Sequence, residues 1–178
     1  MQAKKEYIIQ FVGLSLGEHK FEFKVTDKFF EDLEFSEIKH ANIDVILTLL
    51  KQSQMMILQF EINGTVKELC DLCATEFDMP IQGSHKLVVK VGGSDTANED
   101  DDIIMVAANE HQLDLYTYLY EYITLSLPIK RVHPLDKEGK STCDLETLKK
   151  LAPFIITKEP ENEVIDPRWD GLKNIKLN

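Results

Sequence analysis

Asn42-Ile43-Asp44-Val45-Ile46-Leu47-Thr48-Leu49-Leu50, the turn Gln52-Ser53-Gln54 and a second run from Met55 to Val66 together decide the fold. In the first run Ile43, Val45, Leu47 and Leu49 take alternate positions. Side chains alternate between the faces of a strand, so these four line one buried side. The second run is rich in Met, Ile, Leu and Phe, and only Asn63-Gly64 interrupts it. Two such runs joined by a short polar turn read as one long antiparallel hairpin.

Upstream, Tyr7 to Val12 reads as a strand and Gly13 to Gly17 as a turn. His19 to Val25 places Phe21, Phe23 and Val25 on one face and is expected to pair back on that first strand. Asp27 is suited to cap a short helix from Lys28 to Leu33. Downstream, Thr75 to Val91 continues the strand character, with a break at Pro80-Ile81-Gln82-Gly83 and a clear strand at Lys86 to Val91. Gly92 to Asp102 holds five acidic residues and reads as a solvated loop, without the ligand spacing of a calcium loop. Ile103 to Val106 resumes as a strand.

Leu113 to Leu127 fits two periods, because Leu115, Leu119, Tyr122 and Ile123 also share one helical face. Its length, with Asp114 as a cap and Pro128 as a stop, predicts a helix. Pro128 to Cys143 is a polar connector, and Asp144 caps a helix from Leu145 to Leu151. Asp166 before Pro167 is helix-start chemistry, predicting a tail helix to about Asn174 that presents Trp169 and Leu172. The expected fold is α+β: a mostly antiparallel, curved or barrel-like sheet with a few short covering helices. Residues 1–165 form one domain with an acidic loop at 94–102, and residues 166–178 form a helical tail docking on it.

Charge narrows the function classes. Residues 1–127 hold 10 Lys and Arg against 22 Asp and Glu, a net of −12, whereas residues 128–178 hold 10 against 9. Nucleic-acid binding usually begins from a basic surface. The body would repel phosphate, and only Arg131 and Arg168 supply guanidinium groups. A modest basic patch could form from Lys130, Arg131, Lys149, Lys150, Arg168 and Lys173. No apolar run approaches the length of a membrane helix, and Met1 to Lys5 is polar, unlike a secretory signal. The expected compartment is the cytoplasm, with no membrane partner.

Cys70-Asp71-Leu72-Cys73 is the one constellation with chemistry in it. Two thiolates at this spacing can chelate zinc or form a redox pair. A structural zinc site needs four donors, and the remaining candidates are Cys143 and His133, far away in sequence. The plainer reading is a β-turn whose cysteines pack as small hydrophobes. The residues after Cys73 read as strand and turn, not the helix that a thioredoxin-type thiolate needs. The five histidines show no paired spacing, and there is no phosphate loop or nucleophile elbow. The chain is expected not to be an enzyme and to need no cofactor, with zinc the one candidate.

Three motifs in a fixed order carry a family resemblance: Cys70 with Cys73; Asp114-Leu115, Glu121 and Leu125-Ser126-Leu127-Pro128; and Asp166-Pro167-Arg168-Trp169 with Leu172. This order resembles the YceD family, also called domain of unknown function 177, over roughly residues 55–175. Members often carry Arg before the second cysteine and a cysteine-rich segment after the Leu-Pro motif. This chain has Leu72 and only Cys143 there. The resemblance implies a non-catalytic cytoplasmic factor in ribosome biogenesis that supports 23S rRNA accumulation. It implies binding to a ribosomal protein or a large-subunit assembly intermediate, and leaves direct RNA contact open. The partner-binding candidates are Arg168, Trp169, Asp166, Glu121, Lys130 and Arg131. Trp169 is expected to dock the tail, leaving Arg168 for the partner. The alternative is a zinc- or thiol-dependent regulatory module built on Cys70, Cys73 and Cys143.

Overall fold

The computed structural model describes residues 5–92, 102–154 and 168. The chain divides into two compact units, Met1–Cys143 and Asp144–Asn178. In the first, β1 (Ile8–Ile9), β2 (Gly17–Thr26), α1 (Asp27–Phe30), β3 (Ala41–Lys51), β4 (Met55–Leu69), β5 (Glu76–Val91), β6 (Ile103–Val106), β7 (Leu113–Asp114) and α2 (Tyr116–Leu125) occur in that order. The second holds α3 (Leu145–Leu151) and a 3-10 turn at Ala152–Phe154.

The quoted hairpin is present and longer than its sequence signal. β3 and β4 pair antiparallel from Ala41↔Val66 to Lys51↔Met56, and β4 and β5 from Met55↔Lys90 to Leu69↔Glu76. Ile43, Val45, Leu47 and Leu49 are buried, in one core with Leu58, Phe60 and Ile62 of β4 and Leu87 and Val89 of β5. The sheet order is β2-β3-β4-β5-β6, and only β5 and β6 run parallel. The architecture is therefore α+β and mostly antiparallel, an open sheet and not a closed barrel.

α2 covers one face of the sheet. Leu115, Leu119, Tyr122 and Ile123 are buried there, and the Tyr122 ring sits 5.1 Å from Phe60. An aromatic cluster adds to the same core. Phe29 meets Tyr116 at 4.6 Å and Tyr7 edge-on at 5.1 Å, and the Tyr116 hydroxyl donates to the Phe29 carbonyl at 2.7 Å.

Several local expectations change. β2 does not pair back on the first strand. It runs the length of β3, Gly17↔Lys51 to Thr26↔Asn42, while β1 pairs with β7. The reason is that Tyr7–Val12 yields only a two-residue strand before a turn closes from Leu14 N to the Phe11 carbonyl. Lys51 Nζ caps that turn, donating to the carbonyls of Phe11 and Leu14 at 2.8 Å each. Asp27 begins α1 without capping it. Its carboxylate instead accepts from the Ala41 amide at 2.8 Å and meets His40 Nδ1 at 2.9 Å, which pins the start of β3. The His40 contact and then the Ala41 amide hold the Asp27 carboxyl below the ordinary carboxylate range. The two-period segment 113–127 divides into both states: Leu113–Asp114 joins a strand and Tyr116–Leu125 is helix. Asp144 does cap α3, with its Oδ2 accepting from Thr147 N at 2.8 Å. The acidic loop apart from Asp102, and the tail helix with Asp166 and Trp169, lie outside the described residues.

Neither Asn63-Gly64 nor Pro80–Gly83 interrupts its strand. Gly64 is needed because the β3 backbone comes close: a Cβ at this position would collide with the Asn42 carbonyl and lie 2.6 Å from Ile43 Cα. At Pro80, β5 is flanked by β4 alone, since β6 pairs only with Val88–Val91. Proline is tolerated at such an edge. Gly64→Ala should therefore cost about 1–3 kcal/mol, as overpacking does. Gly13→Ala, with nothing within 4 Å of its Cβ position, should stay within about 0.5 kcal/mol. Urea unfolding of the two variants against the parent checks the difference.

Candidate metal centre

The β4–β5 ladder ends at Leu69↔Glu76, so residues 70–75 form the tip of the hairpin. Cys70 N donates to the Thr75 carbonyl at 3.0 Å and Ala74 N to the Cys70 carbonyl at 2.8 Å. Ala74 closes the turn with φ at 55°, in the left-handed region. This tight turn brings both cysteines inward, and they are buried although Leu72 between them is exposed.

The polar connector 128–143 supplies the rest. Arg131 N donates to Asp71 Oδ2 and Asp71 N donates to the Arg131 carbonyl, each at 2.7 Å. These two bonds fix the backbone leading to His133, whose ring also stacks on Phe77 at 4.4 Å. A small turn then returns the chain. The Asp136 carboxylate accepts from the amides of Glu138 and Lys140, and Leu135 bridges Ser141. Buried Cys143 comes next.

The result gathers Cys70, Cys73, His133 and Cys143, with donor atoms all within 4.8 Å of one another. Cys70 Sγ lies 3.7 Å from Cys143 Sγ, and His133 Nδ1 lies 3.5 Å from Cys73 Sγ and 3.6 Å from Cys143 Sγ. Tetrahedral zinc, with its usual bonds to sulfur and nitrogen, sets these separations at about 3.8 Å and about 3.5 Å. Three thiols and one imidazole at those spacings could hold a metal, and the donor set fits zinc.

The electrostatics agree with that chemistry. Burial alone would push the Cys70 thiol up. The backbone N–H groups of Cys73, Leu72 and His133 and the Cys73 thiol outweigh it, bringing Cys70 down to about 7. At Cys143 the Ser141 hydroxyl favours the thiolate, but burial and the neighbouring sulfurs win and raise the thiol. A bound divalent ion would deprotonate its thiol ligands.

Among the other candidate residues, Lys130 and Glu121 are exposed, and so is Arg168. Arg131 is not left to solvent. Its guanidinium pairs with Glu68 at 2.8 Å and with Glu37 at 3.7 Å, and only 29% of its side chain is exposed. Glu68, Phe77, Asp71 and Thr75 were absent from the sequence-derived set. Thr75 Oγ1 lies 3.0 Å from Cys73 Sγ. The one available signal was their placement within a few residues of the cysteine pair.

A family model described as "Large ribosomal RNA subunit accumulation protein YceD" matches residues 58–176. Neither the search of curated proteins nor that of solved structures returned a match. The matched span contains all four candidate metal donors.

Removing the Arg131 guanidinium should leave Glu68, 9% exposed, without its cation. Arg131→Ala is expected to lower the unfolding free energy by about 2–3 kcal/mol, below the full cost for a buried pair because Arg131 is partly exposed. Lys20→Ala, which removes an exposed pair to Glu22 at 3.4 Å, should change it by less than about 1 kcal/mol. Chemical denaturation midpoints at constant slope measure both.

Proposed function

The chain belongs to the YceD family, and on that premise we propose that it is a non-catalytic cytoplasmic factor of ribosome biogenesis. It supports accumulation of 23S rRNA by binding a ribosomal protein or a large-subunit assembly intermediate. The observation that carries this reading is the family match, which runs from within β4 through the C-terminal motif. The charge distribution supports a protein partner over direct RNA contact, because residues 1–127 carry a net of −12. No helix among the described residues is long and apolar enough to cross a membrane. Lys130, Glu121, Arg168, Asp166 and Trp169 remain the candidate contacts with that partner, and Arg131 contributes through its ion pairs to Glu68 and Glu37.

Cys70, Cys73, His133 and Cys143 are the residues that would hold a metal in this reading. Zinc bound by these four donors would supply a structural cross-link between the hairpin tip and the connector. Cys70 and Cys73 fix the hairpin tip, His133 and Cys143 fix the connector, and Phe77 orients the imidazole. The same cluster carries the second reading, a zinc- or thiol-dependent regulatory module, since Cys70 and Cys143 approach within 3.7 Å.

Two measurements separate the readings. Protein purified without a chelating tag should contain about one zinc per chain, and Cys143→Ser should lose most of it and melt at lower temperature. Metal-free protein that keeps its melting temperature would remove zinc and leave the cysteines structural, without touching the ribosomal proposal. Depletion of the gene should lower 23S rRNA and leave other stable RNAs unchanged, and unaltered 23S rRNA would end the ribosomal proposal.

A further inference from the structure

β2 is an outer strand of the sheet, with β3 on one side and no other described strand on the other. The register fixes which backbone groups face that open side. Lys67 N donates to the His40 carbonyl, and the unbroken β3–β4 register continues this bonding set through the even residues of β3. Bonded pairs alternate along an antiparallel ladder, so the odd residues of β3 bond to β2, through His19, Phe21, Phe23 and Val25. Glu18, Lys20, Glu22 and Lys24 therefore turn their N–H and C=O groups outward. The Lys24 carbonyl is met there by the Tyr7 hydroxyl, which donates to it at 3.3 Å.

The side chains along this edge carry a pattern. Glu18, Lys20, Glu22 and Lys24 are exposed and alternate in sign, so the strip has no net charge in a chain of −11. On the other face Phe21 and Phe23 are only half-buried, although Leu47 and Val45 opposite them on β3 are fully covered. The pairs these charges make within the chain, Lys20 with Glu22 at 3.4 Å and Lys24 with Asp44 at 2.7 Å, are exposed and rearrange at little cost. A long edge without proline or bulge is a template for another strand, and edge lysines deter one that does not match. A copy of β2 itself matches. Two antiparallel copies related by a two-fold axis at Phe21 set Glu18 against Lys24 and Lys20 against Glu22, all opposite in sign. An axis at Lys20 would set that lysine against itself, and an axis at Glu22 would do the same to the glutamate. Axes at His19 or Phe23 pair only half of the charges.

We propose that the open edge of β2 is the contact surface for a second copy of this chain, joining two five-stranded sheets into one through a two-fold axis at Phe21. The outward N–H and C=O groups of Lys20 and Glu22 complete a backbone ladder across the axis. Glu18 and Lys24 close it at each end, with the Lys24 carbonyl keeping Tyr7 on its other lone pair. Opposite charges directly across a ladder favour it and like charges oppose it, so the alternation selects this register and this partner. The half-buried rings of Phe21 and Phe23 lose water in the same step. β2 precedes residues 58–176, so the edge lies outside the family match and the contact does not depend on the ribosomal reading.

The test is sedimentation equilibrium of the full chain at about 0.15 M salt, where screening limits the repulsion between two acidic bodies. The parent should approach twice its chain mass of 20.5 kDa as concentration rises. Lys20→Glu and Glu22→Lys each set like charges across the axis, and each should weaken the dimer about tenfold. Mixing these two variants restores every opposite pair, so the mixture should associate as the parent does, and so should the double variant Lys20→Glu/Glu22→Lys. Glu22→Pro removes an outward N–H and no bond to β3, so it too should be monomeric, and it stands in if a reversed charge disturbs folding. A parent that stays at 20.5 kDa up to millimolar concentration would overturn the proposal. Single variants that associate as tightly as the parent, or a mixture that stays monomeric, would overturn it as well.

Discussion

Register is the constraint on which everything else in this molecule depends. A sheet with one buried face cannot slip by a residue without turning every apolar side chain outward. Here Leu47 opposes Phe60 and Phe60 opposes His85, so three strands are locked against each other by the same alternation. That lock determines where β4 and β5 stop pairing, and so where the six-residue tip with both hairpin cysteines begins. The candidate metal centre is thus placed by hydrophobic burial along the strands, not by the affinity of the cysteines for one another.

The second half of the centre is placed differently. The connector has little apolar content and cannot dock by burial. It is held by hydrogen bonds that run in both directions between Asp71 and Arg131 and by the ion pair to Glu68. A largely buried acid on β4 therefore holds the connector in place. Its carboxylate anchors the segment that carries His133 and Cys143.

The extent to which sequence revealed this depends on the range of each interaction. Alternation in 42–66 is a local signal and it read correctly, as did the Asp144 cap, whose partner is three residues away. The partner of β2 was missed because strand pairing is a contest between distant segments, and the β1 segment was too short to win it. Gly64 looked like part of an interruption in its strand, and Asp27 like a cap. In both cases the demand came from β3, through a close backbone at one and an orphan amide at the other. The four donors were nameable by residue type, but the gaps between them carry no period. Glu68 and Phe77 had no signal of their own, since nothing local distinguishes a buried glutamate from a solvated one.

The separation of the donors along the chain has a consequence in time. Cys73 and His133 are 60 residues apart, and Cys70 and Cys143 are 73 apart. Translation proceeds at roughly 5–20 residues per second, so the hairpin tip emerges several seconds before its remaining donors. Throughout that interval two cysteines wait with an incomplete coordination set. The hairpin can already be zipped, because its contacts are local, whereas the connector arrives last. The four candidate donors are therefore complete only once Cys143, the last residue of this unit, has been made.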